Sequence, residues 1–73
     1  MKPLKDLKKG ETGKIVAMVS YRDTLLSRMS AMGIRIGQPI EVLRKGWLRP
    51  IHIRIGMTEM FIRKKDAQNI WID

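Results

Sequence analysis

The stretch RMSAMGIRIGQPIEV, residues 28–42, decides the fold. It carries two glycines four positions apart, Gly33 and Gly37, with Pro39 just behind and apolar residues at Met29, Met32, Ile34, Ile36, Ile40 and Val42. Upstream, Leu25, Leu26, Met29 and Met32 follow the i, i+1, i+4, i+7 spacing of one helix face. Downstream, PIEVLR alternates with period two, Ile40 and Val42 to one face and Glu41 and Leu43 to the other. The stretch is therefore a joint: a short helix ends, the chain turns, and a strand begins. Gly33 stands where a left-handed residue closes a helix, a conformation glycine adopts without steric cost. Gly37 and Pro39 mark the turn that follows. Asp23, alone or with Ser20, caps the helix start and suits the positive end of its dipole.

Outward from the joint the other elements are short. Leu4 and Leu7 anchor a turn that leads through Gly10 and Gly13 into a strand near residues 14–19. There Ile15, Ala17 and Val19 share one face and Val16 and Met18 the other, so cover on both sides is expected. GWLRP, residues 46–50, reads as a loop, and IHIRI, residues 51–55, as a strand with His52 and Arg54 outward. Gly56 opens a turn. EMFIR continues with Met60 and Ile62 inward and Phe61 outward. KKDAQN reads as a single helical turn, and IWID closes with Ile70 and Ile72 on one face and Trp71 on the other. About five strands and one helix in 73 residues make one mainly β domain, a small closed or partly open barrel. Such a chain buries about 60% of its unfolded surface, so its core is thin.

Composition excludes several classes. There is no cysteine, which rules out a disulfide framework, and the single histidine, His52, cannot supply a tetrahedral zinc site. The longest apolar run, IVAMV at residues 15–19, is far short of a membrane span, and no apolar run of signal-peptide length occurs near the start. A cytoplasmic location, at most peripheral to the membrane, is expected. The seven acids are scattered, no phosphate-binding loop occurs, and His52 lies in a regular strand, so neither catalytic residues nor a metal site nor a cofactor is expected. The six methionines read as core filler rather than copper ligands. His52 with Glu59, on neighbouring strands, is the one pair of candidate iron ligands.

The net charge of +8 favours an anionic partner, whether nucleic acid, lipid surface or acidic protein face, although a solvated basic surface accounts for it as well. Trp47 sits among Arg44, Lys45 and Arg49. Tryptophan beside arginine fits an interface hot spot or a stacking platform for single-stranded nucleic acid, and equally a cover over one end of a barrel. Trp71 is read as such a cover.

In this order the chain resembles the FeoA family almost end to end. The resemblance rests on Leu4, Leu7, Gly10, Gly13 and Ile15, then on Met32, Gly33, Ile34 and Gly37. It continues through Pro50, Ile51 and Ile53, then Ile62 and Arg63, and ends with Ala67, Ile70 and Ile72. Trp71, the GWLRP loop and an Asp73 directly after Ile72 depart from the family pattern. The resemblance implies an SH3-like β-barrel with a helix inserted after the first long strand. It also implies a small cytoplasmic accessory of ferrous iron uptake, working with the FeoB permease or its G-protein domain. The same fold serves as a regulatory domain in metal-dependent repressors of the DtxR type. No catalytic or metal-ligand set follows from the resemblance. The expected interaction surface is Met32, Gly33, Ile34, Arg35 and Gly37 with Trp47 and Arg49, facing FeoB. An anionic membrane surface is a second partner, and a homo-oligomer is compatible with the chain. The alternative function is a basic SH3-like nucleic-acid-binding module or a regulatory domain of the metal-dependent repressor type.

Overall fold

The computed structural model describes residues 1–19, 24–31 and 33–73, with backbone alone for residues 24–26. The expected cap at Asp23 and the candidate surface residue Met32 lie outside the described residues, as do the side chains of Leu25 and Leu26.

Six strands form one antiparallel sheet among the described residues: β1 (Lys2–Pro3), β2 (Thr12–Met18), β3 (Pro39–Arg44), β4 (Ile51–Ile55), β5 (Thr58–Ile62) and β6 (Ile70–Ile72). Their order is β1-β6-β2-β3-β4-β5. A 3-10 turn (Leu4–Asp6) follows β1, helix α1 (Thr24–Ala31) lies between β2 and β3, and helix α2 (Lys64–Ala67) precedes β6. The expected five strands become six because the two residues of β1 pair with β6, Lys2 against Ile72 and Pro3 against Trp71. Two residues carry no periodicity, so this strand exists only as a pairing.

Alternation decides the core. Ile40 and Val42 of β3, Ile51, Ile53 and Ile55 of β4, Ile62 of β5, and Ile70 and Ile72 of β6 are all buried. Leu4 and Leu7 close one side, and Met29 and Ile34 bring α1 and the joint against it. Trp71, opposite the core face, is half-buried between the partners Pro3 and Ala17. Helix α1 is tied to α2 by an ion pair in which Arg28 meets Asp66 at 2.9 Å.

Strand β2 departs from strict alternation. Its pairing with β6 steps from Ile15–Ile72 to Ala17–Trp71, so β2 carries one extra residue there. A bulge reverses the faces beyond it. Met18, not Val19, then packs on the core, and Val19 is 50% exposed. The expected sharing of a face by Ile15, Ala17 and Val19 is corrected accordingly.

Candidate interaction surface

The joint closes as its glycines require. Gly33 has φ 79° and Gly37 φ 99°. The Gly33 N–H donates to the Ser30 carbonyl at 3.0 Å and the Ile34 N–H to the Met29 carbonyl at 2.8 Å. This paired arrangement satisfies the last helix carbonyls and brings two apolar residues, Met29 and Ile34, together in the core. The turn is then pinned to β2: the Gly37 N–H donates to Ile15 O at 2.7 Å and the Ile15 N–H to Gln38 O at 3.0 Å. The Gln38 side chain accepts from the Arg35 N–H at 2.8 Å. Ile34, expected on the surface, is 3% exposed and supports the joint from inside. Arg35 and Ile36 are what the joint presents, with Ile36 59% exposed.

At the other end of β3 lies the loop 45–50. Six extended residues separate the two, about 20 Å at the usual rise of a strand. The joint and Trp47 therefore belong to opposite ends of one strand, and the single surface expected from the sequence divides into two.

The loop is held from below. Lys45 Nζ donates to the carbonyls of Leu7, at 2.7 Å, and Lys5. Lys64 Nζ donates to the Trp47 carbonyl. Trp47 and Leu48 project from it, 86% and 84% exposed. Beside the loop runs a groove of about 760 Å³ lined by Lys9, Arg44, Lys45, Arg49, His52 and Phe61. Arg44 reaches it through a second bulge. Strict alternation would place it inward with Ile40 and Val42, but the β3–β4 pairing steps from Val42–Ile53 to Arg44–His52. Arg44 is thereby turned out beside His52, whose other neighbour is Phe61. The His52 and Phe61 rings stack at 4.5 Å, nearly parallel. Alternation in β3 concealed this placement, and no local signal in LRKGW marks the bulge.

The outer face of the same three strands carries a second row, Glu41, Arg54 and Glu59. Arg54 meets Glu41 at 2.8 Å, and this hydrogen-bonded ion pair raises the guanidinium's pKa further. His52 Nε2 lies 3.0 Å from Glu59 Oε1. The candidate iron pair thus stands in contact, but among the described residues no group of three histidine or carboxylate side chains converges. His52 stacks on Phe61 and contacts Glu59 across the strand pair, so packing of the sheet face accounts for where the two stand. Neither is there, among the described residues, a helix long and apolar enough to cross a membrane.

The FeoA domain model matches residues 2–73. The chain belongs to the FeoA family. No curated protein sequence matches it. Among solved structures, a crystal structure of an iron uptake regulatory protein, FeoA, superposes with a TM-score of 0.84 at 25% identity, over 99% of this chain and 93% of that one. The zinc complex of Stenotrophomonas maltophilia FeoA follows with a TM-score of 0.82 at 19% identity, over 100% and 91%. That protein is described as a prokaryotic SH3 domain protein and a candidate activating factor of bacterial ferrous iron transport. A manganese-dependent transcriptional repressor shares the fold, with a TM-score of 0.88 at 21% identity over 97% of this chain and 40% of its own length. The mainly β architecture of this FeoA-family chain is therefore the SH3-like one.

Proposed function

We propose that this FeoA-family chain is a non-catalytic cytoplasmic accessory of ferrous iron uptake that docks on a FeoB-type permease and modulates transport. Family membership over residues 2–73 supports the reading. The observation that carries it is the joint. Two left-handed glycines and a web of hydrogen bonds hold an exposed Arg35–Ile36 pair rigid, where a partner meets it without paying to order a loop. An apolar side chain beside an arginine on a fixed turn is the composition of an interface anchor.

The test is a calorimetric titration of detergent-solubilised FeoB permease with the purified chain, no bilayer being present. Ile36→Asp is expected to weaken binding by about tenfold or more, as loss of a central contact does, with an unchanged melting temperature. Absence of binding by the unmodified chain removes the permease from this reading.

A further inference from the structure

The loop at the far end of β3 has features the joint lacks. Trp47 and Leu48, adjacent in sequence, stand 86% and 84% exposed at its tip. The depressions flanking them are lined by six cations, Lys8, Lys9, Lys45, Arg49, Arg63 and Lys64, and by no carboxylate. Arg63 also has Asp66 at 3.4 Å, so part of its charge is shared. The loop backbone is fixed by Lys64 at the Trp47 carbonyl and by Lys45 at the Leu7 carbonyl.

We propose that the Trp47–Leu48 tip is a membrane-docking element that seats in the headgroup region of an anionic lipid surface. Each part has its physical counterpart there. An indole is most stable at a bilayer interface, with its ring among the upper methylenes and its N–H toward water. Leucine beside it adds apolar area that only hydrocarbon or a protein core would cover. Of the surrounding cations, Lys8, Lys9 and Arg49 meet anionic headgroups, each strengthening binding by about fivefold near the surface. One apolar contact or one basic patch alone gives marginal binding, whereas the two together hold.

Nucleic acid fits less well. Stacking needs a π-face, which Leu48 lacks, and the His52–Phe61 stack lines the groove beside the loop rather than its tip. The proposal goes beyond the permease reading and stands on separate observations. Docking would hold the barrel beside any membrane protein at this surface.

The test is flotation of the intact chain with vesicles of phosphatidylcholine, with and without phosphatidylglycerol, in the absence of permease. Flotation with the anionic vesicles only, falling as salt rises, is expected. Trp47→Ala/Leu48→Ala should lower partitioning by about tenfold or more, and Lys9→Gln/Arg49→Gln by about fivefold per charge. In a Trp71→Phe background the emission of Trp47 should shift to the blue on vesicle addition and be quenched by brominated lipid. Three results would overturn the proposal: no flotation at low salt, equal flotation of the Trp47→Ala/Leu48→Ala chain, or tighter binding of a single-stranded oligonucleotide with the same dependence on Trp47. Because these vesicles hold no permease and the calorimetric titration holds no bilayer, either reading can fail while the other stands.

Discussion

Gly13 and Gly33 show how one residue type answers two demands. At Gly33 the backbone takes φ 79° with open space around it, so a side chain there meets only its own backbone. Gly13 has the reverse problem. A Cβ at that position would stand 2.2 Å from Ile72 Cγ2 and 3.2 Å from the Asp73 carbonyl oxygen. Ile72 is 3% exposed in the core and cannot swing aside freely. Gly13→Ala is therefore expected to lower stability by about 1–3 kcal/mol, the usual effect of overpacking, seen as a fall in the thermal midpoint. An unchanged midpoint would show that β6 moves to accommodate the methyl group. The sequence showed that Gly10 and Gly13 were spaced glycines. It could not show that one of them is needed for the approach of a strand from the far end of the chain.

Among the elements, the loop between β3 and β4 depends on groups distant in sequence. The Lys45 ammonium satisfies the carbonyls of Leu7 and Lys5, tying the loop to the turn that opens the chain. Lys45→Met keeps most of the aliphatic stem and removes the donor. The expected cost is about 1–2 kcal/mol, around the low end of the range for a hydrogen bond from a charged group, with faster hydrogen exchange in residues 45–50. Equal exchange in the two proteins would show that Lys64 alone holds the loop. The same loop illustrates what patterning conceals. IHIRI read correctly from alternation because β4 is a regular strand between two neighbours. PIEVLR alternates as expected at Ile40, Glu41 and Val42, and the bulge that turns Arg44 outward to join His52 is a placement its pattern does not carry. A bulge is a property of two strands together, and neither strand announces it.

For the whole molecule, charge is the dominant feature. At net +8 the chain repels itself, and the few carboxylates matter to its compactness. Among the described residues, the Glu11 carboxyl is displaced from its ordinary titration. The Lys8 backbone N–H donates to its Oε1 at 2.6 Å, and Lys2 Nζ stands 3.5 Å from its other oxygen, together holding the carboxyl below the ordinary glutamate range. A carboxyl held low in the folded state stabilises it above the unfolded pKa, and that contribution disappears as pH falls through the lowered value. Stability should thus decline on acidification below the ordinary glutamate range. Glu11→Gln should flatten this decline by removing the part of the stability that the carboxylate contributes near neutrality, as thermal melts across pH would record. Identical acid limbs in the two proteins would remove Glu11 as the group responsible.

Most of the architecture was legible before any coordinates. Apolar period, left-handed glycines and turn residues are local properties, because a strand face or a helix end is built from neighbours in the chain. Those signals placed the joint, the strands β3 to β6 and the core isoleucines, and their order resembled the FeoA family. What the folded chain alone settled were relations between distant segments: the pairing of β1 with β6, the two bulges, and the burial of Ile34. It also separated the Arg35–Ile36 turn from the Trp47–Leu48 tip by the length of one strand. Which side chains share a surface depends on strand register, and register is decided by long-range packing that no local pattern records.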